Sequence, residues 1–568
     1  MAKIKPEQAY AKEIFDGFHG VNSDALVGGK GASDMRNFRI LPDGSLQKRC
    51  GWRSMISFPE TVRGFWQGTL GESSFCFVAA GTQVYRVEGL TDSLVTTLDS
   101  DSGRVRFFVY RDRLYLMDGS SLLIYNSSAD SFEAPSGYAP LYGRNWHPTD
   151  MGSVNEPFNL LSKHLRVHYL NTTGSTTFKL PYYADSIDQI RVDGKLTTDY
   201  TMLTAGNGFT LGSASAGGSV EVAFSVSLFS EVREQLLQVT CAFVDQEGSL
   251  ERLVLYGSSQ GNRLFCATAV DDHMLNASKA IWSDSDPLYF THNAVLLLGD
   301  ASRPITSMFR NHGRLLAFHR EGAYAVHFSD SDNGVEVYPL LHGMGCEAKD
   351  AELYLETDPV VVNSGGIFRL HSTAGEPDTF EATCLSENVP ALHGNSFAMN
   401  ALVCEDLVHG ELWFCDQSEG IVWVYRSATK EWTVFDNIQP SFFFHMGCDV
   451  GFASRSAICL FNELLSTDGG LPFTAYYRTG YLTFGCPETV KRSLRASLTA
   501  HSGGNELDVE MRSELCTKTF SAQGKDTSLP ELIDRRVTLG RFRFLRVTLR
   551  DSGSARSRIY RLALFANL

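Results

Sequence analysis

The chain has 568 residues and a formal net charge of −15, with 43% hydrophobic and 20% charged residues. Its length predicts several domains, and its ordinary hydrophobic content predicts globular domains rather than a disordered chain. The acidic balance argues against a protein that grips nucleic acid through phosphates. No run reaches the roughly 18 apolar residues that a membrane helix needs.

The N-terminal segment MAKIKPEQAYAKEIF lacks the apolar core of a secretory signal. The 12 cysteines show neither C-x-x-C nor zinc-site spacing. Cys76, Cys266, Cys415 and Cys459 lie in apolar, strand-like stretches, where free Cys behaves as a small hydrophobe. We therefore expect reduced thiols and folding in a cytoplasm.

Residues 1–60 are predicted to be an N-terminal arm that ends in a first strand. The pattern favours a short helix over Glu7–Phe15 and a helical turn over Ala32–Arg39, with Ser33 as its cap. PDG at Pro42–Gly44 predicts a tight turn, and LQKRCGWR predicts a basic, aromatic strand. The glycines of GGKGAS lack the spacing of a phosphate-binding loop, which argues against a nucleotide site.

Between Leu26 and Met55, eleven residues form a recognisable pattern: Asn37, Phe38, Arg39, Asp43, Gly44, Leu46, Lys48, Arg49, Gly51, Trp52 and Arg53. Through these residues the sequence resembles the start of bacteriophage tail proteins. The specific family that it resembles is the propeller-based nozzle, or DNA-stabilisation, proteins of short-tailed phages. The resemblance brings no catalytic motif, and it implies a structural virion protein that forms a ring.

Small strand units recur along residues 61–142 and 233–470. The clearest unit, Gly410–Asp436, predicts strands at Leu412–Cys415, Ile421–Tyr425 and Trp432–Phe435, joined by polar turns. Such a meander cannot bury both faces alone, and a repeat of about 40–50 residues is typical of β-propeller blades. The alternative is a set of hairpins in β-sandwiches. Similar units lie at 75–89, 113–133, 252–267, 314–328, 360–370 and 449–462.

Residues 143–232 interrupt this pattern and predict an inserted β-sandwich, because DG, GNG and GG turns separate the strands. It contains two short patterns, formed by Thr176, Thr177, Phe178, Leu180, Pro181 and Tyr182 and by Val192, Asp193, Gly194 and Lys195. Through these residues the insertion is similar to modules found in phage tail proteins. A carbohydrate-binding or packing decoration is the alternative to a subunit contact.

Residues 471–568 predict a C-terminal β-sandwich of the jelly-roll type. Within it, Arg541, Arg543 and Arg546 alternate with apolar residues, which predicts a half-buried strand with a basic outer face. The strip also resembles a nucleic-acid contact, but exposed edge strands carry such charges to block aggregation, and we favour that structural role. The predicted fold class is therefore all-β: a β-propeller of six or seven blades with an inserted β-sandwich and a C-terminal jelly-roll-like β-sandwich.

The sequence assigns no catalytic, cofactor-binding or metal-ligating residue. The segment Ser329–Val337 departs from the sialidase-type turn, and as a calcium loop it lacks the distal Glu. Acidic turn residues usually cap turns, and the histidines lack metal-site spacing. The residues weighed were Asp284, Asp286, Asp330, Asp332, Asn333, His312, His319 and His327.

The favoured hypothesis is a virion tail nozzle below the portal and its adaptor, assembled in the host cytoplasm. The resemblance implies a ring of six copies of the chain. The other expected partners are the adaptor and the tail fibre or tail-tip proteins. DNA is expected to pass through the ring without sequence-specific contacts. A second hypothesis is a tail-tip or fibre-associated glycan receptor protein that uses exposed Trp146 and Tyr142. A third is a propeller glycoside hydrolase with a carboxylate such as Asp286.

Overall fold

The computed structural model describes residues 10–23, 27–29, 31–110, 112–118, 122–133, 138–159, 164–213, 217–226, 250–258, 261–268, 279–282, 289, 295–299, 305–311, 314–329, 334–349, 351–373, 376–523 and 529–568. The chain divides into two compact units. The first unit comprises Met1–Val62 with Gly345–Leu568, and the second comprises Arg63–Met344.

Nearly all elements are strands. The N-terminal strands are β1 (Tyr10–Phe15), β2 (Ala32–Arg36), β3 (Phe38–Ile40), β4 (Leu46–Lys48) and β5 (Gly51–Ser57). The next eight are β6 (Val62–Leu70), β7 (Ser73–Ala80), β8 (Gln83–Glu88), β9 (Thr91–Thr97), β10 (Arg106–Tyr110), β11 (Arg113–Met117), β12 (Leu122–Asn126) and β13 (Ser131–Glu133).

The inserted region contains β14 (Leu141–Trp146), β15 (His164–Asn171), β16 (Thr177–Lys179), β17 (Ser186–Val192), β18 (Lys195–Thr197), β19 (Tyr200–Met202), β20 (Gly208–Leu211) and β21 (Gly218–Ser225). It is followed by β22 (Leu250–Ser258), β23 (Gly261–Thr268), β24 (Lys279–Trp282), β25 (Val295–Leu297), β26 (Ser307–Asn311), β27 (Arg314–His319), β28 (Gly322–Ser329) and β29 (Gly334–His342).

The remaining strands return to the first unit. They begin with β30 (Tyr354–Leu355), β31 (Asp358–Asn363), β32 (Gly366–Thr373) and β33 (Glu376–Cys384), then a 3-10 turn (Pro390–Leu392) and helix α1 (Asn395–Asn400). Next come β34 (Ala401–Asp406), β35 (Glu411–Asp416), β36 (Ile421–Arg426), β37 (Glu431–Phe435), β38 (Phe442–Met446), β39 (Asp449–Ser454) and β40 (Ala457–Asn462). The last are β41 (Ala475–Thr479), β42 (Leu494–His501), β43 (Glu506–Ser513), β44 (Thr517–Gln523), β45 (Glu531–Val537), β46 (Leu545–Asp551) and β47 (Arg558–Asn567).

Seven four-stranded sheets occur among the described strands. Six are meanders of consecutive strands: β6–β9, β10–β13, β22–β25, β26–β29, β30–β33 and β34–β37. In the seventh, β38–β40 are completed by β5 from the N-terminal region. Small four-stranded antiparallel sheets of this kind are β-propeller blades. The predicted propeller class is therefore confirmed, with seven blade-type sheets.

The unit predicted at Gly410–Asp436 forms β35, β36 and β37, with Cys415 opposite Val422 and Trp423 opposite Val434. Its aromatic and β-branched residues favour strands, and β35 and β37 are buried along nearly their whole length. A fourth strand, β34, precedes these three and was not predicted. The other predicted units likewise correspond to β7–β8, β11–β13, β22–β23, β27–β28, β31–β32 and β39–β40.

The inserted region is a β-sandwich, as predicted. One sheet has the strand order β14-β15-β21-β17-β18, and the other has the order β16-β20-β19. Both contribute to one apolar core, in which the rings of Phe178 and Phe209 stack with their centroids 5.0 Å apart.

The C-terminal sandwich includes strands from both ends of the chain. Its six-stranded sheet has the order β3-β4-β47-β42-β45, with β1 also paired to β47. Its five-stranded sheet has the order β2-β41-β46-β43-β44. Residues 10–48, expected to lie in a separate arm, therefore supply four strands to this sandwich and share its core.

Two helical predictions in this region were wrong. Residues Tyr10–Phe15 form β1, paired with β47, and Ala32–Arg36 form β2, paired with β41. Their strand partners lie more than 400 residues away, and such tertiary pairing overrides local helix propensity. The predicted alternation of exposed and buried residues is present at Arg541 to Arg543, where both arginines are exposed and Phe542 between them is buried. The strand, however, begins only at Leu545.

Within the described ranges, no helix is long and apolar enough to cross a membrane.

Candidate functional site

The residues that carry the tail-protein resemblance converge inside the first unit. Asn37, Arg39, Lys48 and Arg49 are each 2% exposed or less. They lie where the β3–β4 hairpin, at one edge of the six-stranded sheet of the C-terminal sandwich, meets the blade β34–β37. We call these four residues the N-terminal brace.

Arg49 occupies the link between β4, in the sandwich, and β5, in the last blade. Its guanidinium donates two hydrogen bonds to Asp468, Nη1 to Oδ1 at 2.8 Å and Nη2 to Oδ2 at 2.6 Å. It also lies 4.0 Å from the ring centroid of Phe473. A bidentate, stacked geometry of this kind is specific to Arg. The contact fixes the point where the chain passes from one sheet to the other.

Asn37 connects the brace to the end of β37. Its backbone N–H donates to Val434 at 2.7 Å, and its side-chain Oδ1 accepts from Arg49 Nε at 2.9 Å and from the Asp436 N–H at 3.0 Å. The residue has φ = 57°, a left-handed conformation that Asn tolerates better than most residues. Asn therefore satisfies both the backbone and the hydrogen-bonding requirements of this position.

Lys48 anchors the brace to the loop after β46. Its Nζ donates to the Gly553 carbonyl at 2.6 Å and lies 3.6 Å from Asp551 Oδ1 and 4.6 Å from the Phe473 ring centroid. Burial lowers the pKa of Lys48, and the charge of Asp551 opposes that shift.

Gly51, the first residue of β5, allows the backbone to approach the loop after β40 closely. A Cβ at this position would lie 1.9 Å from the carbonyl oxygen of Thr467. The Gly51 N–H donates to the Leu465 carbonyl at 2.9 Å. A side chain would therefore force β5, the strand that completes the last blade, away from the loop after β40.

Arg39 lies at the centre of a buried ion cluster. Its nitrogens donate to Glu411 at 3.2 Å, to Asp406 at 3.1 Å and to Glu463 at 3.3 Å. Arg556 adds a second cation, because its Nη1 lies 2.6 Å from Glu463. Three carboxylates thus converge on cations supplied by β3 and by the segment before β47.

His409 completes this cluster. Its Nδ1 lies 2.7 Å from Asp406 Oδ2, and its Nε2 lies 3.2 Å from Glu463 Oε1. Burial opposes protonation of the ring, as does the charge of Arg39, whose Nη1 lies 3.2 Å from His409 Nε2, but the hydrogen bonds to Asp406 and Glu463 prevail and raise the pKa of His409 to about 9. Hydrogen bonding to His409 in turn holds the pKa of Glu463 well below its usual range, although burial opposes that shift. The imidazolium therefore acts as a second donor beside Arg39.

Asp406, His409 and Glu411 place three ligand-type atoms within 4.8 Å of one another. The Arg39 guanidinium already contacts Asp406 and Glu411, and a protonated His409 cannot coordinate a metal. A divalent ion here would meet two cations, so the set is a poor metal site. We interpret it as a structural ion cluster.

The close spacing of Asp406, His409 and Glu411 in EDLVHGE could have indicated this cluster from the sequence. Nothing in the sequence indicated that Arg39 and Glu463 are their partners.

A second feature is a cleft of about 650 Å³ lined by residues of two neighbouring blades, β30–β33 and β34–β37. Arg369 donates from Nε to Asp358 at 2.7 Å and from Nη2 to Glu356 at 2.8 Å. His371 and Lys430 also line the cleft. The carboxylates and the cationic side chains of the cleft could form hydrogen bonds with a polar ligand. Its aromatic residue, Tyr425, is buried and therefore offers no ring on which a sugar could stack.

The structure does not support the aromatic residues proposed for glycan binding. Trp146 is 4% exposed and Tyr142 is 8% exposed, and both belong to the core of the inserted sandwich. The Trp146 indole donates to the Ser153 carbonyl at 3.1 Å, and Tyr142 contacts the hydroxyl of Tyr182 at 2.9 Å. Their expected exposure was wrong because both rings fill the space between the two sheets.

Several other residues weighed from the sequence lie outside the described residues, namely Asp284, Asp286, Asp330, Asp332, Asn333 and His312. Of the remaining histidines, His319 is buried and His327 is exposed.

No protein-family model and no curated protein matches the chain. Solved structures similar to it include the Dos1 propeller, with 9% identity, a TM-score of 0.35 and coverage of 80% of this chain and 94% of that one. A glycoside hydrolase has 8% identity, a TM-score of 0.23 and coverage of 90% and 98%. PorZ, a surface component of the type-IX secretion system of Porphyromonas gingivalis, has 11% identity, a TM-score of 0.29 and coverage of 86% and 76%. TM-scores this low carry no argument about function.

Proposed function

We propose that this protein is a structural component of a phage tail, of the nozzle type. Several copies form a ring below the portal and its adaptor, and the central channel retains DNA before infection and conducts it during ejection. The proposal assigns no enzymatic activity to the chain.

The observation that supports this proposal most is the N-terminal brace. Two of the residues that carry the resemblance form buried ion pairs: Lys48 with Asp551 inside the C-terminal sandwich, and Arg49, on the link from the sandwich to the last blade, with Asp468. A wall around packaged DNA must keep its shape under load. Buried, hydrogen-bonded ion pairs resist rearrangement, because separating the partners leaves an uncompensated charge.

The net charge of −15 also suits this role. An acidic channel surface repels phosphates, so DNA passes without adhering. We therefore expect acidic side chains to line the channel. A channel lined mainly by Lys and Arg would contradict this part of the proposal.

The functional test uses DNA-filled particles that lack this protein. Addition of the purified chain should restore resistance of the packaged DNA to nuclease, and the protein should co-sediment with the adaptor ring. Particles that bind the protein but still lose their DNA would contradict the retention role. Failure to bind the adaptor would contradict the nozzle assignment itself.

A glycan receptor is the second candidate, and the cleft around Arg369 is the observation that favours it. Sugar hydroxyls pair with fixed carboxylate and guanidinium groups such as those of Asp358, Glu356 and Arg369. Glycan-array binding that is lost on Arg369→Ala would favour this function over the nozzle.

A further inference from the structure

The outer face of the five-stranded sheet in the C-terminal sandwich is rich in arginine. Strand register places Arg36 opposite Tyr476 and Tyr476 opposite Arg550. It also places Arg512 directly opposite Arg546. We call Arg36, Arg478, Arg512, Arg546 and Arg550 the arginine face.

Among the described residues, most of these guanidinium groups have no carboxylate oxygen within 4.0 Å. Arg478 pairs with Asp34 at 3.3 Å. Within the described part of the chain, no carboxylate oxygen lies within 4.0 Å of Arg512, Arg546 or Arg550. Like charges directly opposite on neighbouring strands are destabilising, so the Arg512–Arg546 pair costs stability in the isolated chain. An anionic surface placed against it would remove that cost.

Two of the side chains are held in place by aromatic rings. The guanidinium of Arg546 lies 5.1 Å from the ring centroid of Tyr481, and that of Arg478 lies 5.6 Å from the ring centroid of Tyr476. Such stacking fixes the side chains before a partner arrives, which lowers the entropy lost on docking. Arg and Tyr are also among the residues most enriched at the positions that contribute most binding energy in protein interfaces.

The distribution of charge along the sequence indicates which kind of partner suits the arginine face. Residues 471–568 contain sixteen Lys and Arg against nine Asp and Glu, although the whole chain has a net charge of −15. The rest of the chain is therefore strongly acidic and complementary to this sandwich. Asp34, Asp508 and Glu510 share the face with the arginines. These carboxylates would repel a phosphate backbone but suit a protein surface of mixed charge.

We propose that the arginine face docks onto an acidic surface of a second copy of this chain. The inference rests on the proposed assembly of several copies, and it names the surface that makes the contact. A ring of identical subunits closes when each subunit contacts the next through two different surfaces. It also places these arginines between subunits, away from the channel.

The test compares two double variants with equal changes of charge, by native mass spectrometry and sedimentation velocity at about 50 mM and about 500 mM salt. R512E/R550E reverses two exposed residues of the arginine face. The control, K12E/R536E, reverses two exposed residues on strands of the other sheet of the sandwich. We expect self-association of the wild type to weaken at least about tenfold at the higher salt. It should be lost in R512E/R550E and retained in the control.

The outcomes separate this inference from the proposed function. If the wild type assembles and R512E/R550E assembles equally well, the arginine face is not the contact, while the ring proposal stands. If the wild type stays monomeric at low salt and with the adaptor present, both proposals fail. If duplex DNA binds the wild type more tightly than R512E/R550E and association is unchanged between them, the face binds nucleic acid and the inference is overturned.

Discussion

Arg49 and Asp468 form a two-point ion pair in which both side chains are 1% exposed or less. The two residues are 419 positions apart in the chain. The pair therefore ties the link between the C-terminal sandwich and the last blade to the loop that follows β40.

Arg49→Met should be strongly destabilising, because it leaves the Asp468 carboxylate buried without its cation. Loss of one partner of a buried pair typically costs about 3–5 kcal/mol. Urea unfolding followed by tryptophan fluorescence measures the loss. Arg53→Met is the matched control, because Arg53 is exposed on β5, the strand that follows Arg49 in the chain. Equal shifts of the unfolding midpoint in the two variants would show that the brace contributes no more than a surface arginine.

At Asn37, backbone strain and hydrogen bonding can be separated by two substitutions. Asn37→Gly keeps access to φ = 57° but loses the side-chain bonds to Arg49 and Asp436. Asn37→Ala loses the same bonds and adds the strain of a left-handed alanine, about 1 kcal/mol. Thermal unfolding should rank the wild type above Asn37→Gly and Asn37→Gly above Asn37→Ala. If Asn37→Ala proved the more stable of the two, the conformational argument would be wrong.

His409 should make stability depend on pH in the alkaline range. Its pKa is about 9 in the folded protein and 6.5 in the reference state. The folded state therefore holds the proton more tightly. The stabilisation is complete below pH 6.5 and is lost as the pH rises through about 9. The difference in melting temperature between the wild type and His409→Gln should thus be largest near pH 6 and should shrink above pH 9.

The control for that series is His147→Gln, because His147 is exposed in the inserted sandwich. Its difference from the wild type should not follow the same alkaline profile. A difference for His409→Gln that grew with rising pH would contradict the ion-cluster interpretation.

In the second unit, Arg63 holds a loop through backbone carbonyls. It is 5% exposed, and it donates to Gly81 at 2.8 Å, to Gly103 at 2.9 Å and to Ser100 at 2.5 Å. Arg63→Lys cannot reproduce this fork of donors. Amide hydrogen exchange in residues 99–103 should therefore accelerate, whereas Arg113→Lys, at an exposed position, should leave it unchanged. Unchanged exchange in Arg63→Lys would show that another contact holds the loop.

Local patterns in the sequence predicted most strands of the blades. The apolar, aromatic and β-branched composition of Leu412–Cys415 and Ile421–Tyr425 is a short-range signal, and the structure places β35 and β36 there. By contrast, β5 completes the last blade through pairing of Gly51 with Asn462. A contact over that distance leaves no local periodicity.

The same reasoning explains the errors at the N-terminus. Tyr10–Phe15 has acceptable helix formers, but its register with β47 makes it a strand. The ion cluster was equally hard to foresee, because Arg39 and Arg49 resemble ordinary surface cations in the sequence. Only their distant partners, Glu411, Glu463 and Asp468, identify them as buried.

The most direct test of the central claim is the mass and shape of the purified protein, alone and with its candidate adaptor ring, by native mass spectrometry and negative-stain imaging. The nozzle proposal predicts a closed ring with an axial hole about 20 Å wide, enough for a B-form duplex. A chain that remains monomeric even with the adaptor present would contradict the proposal and favour the glycan-binding function.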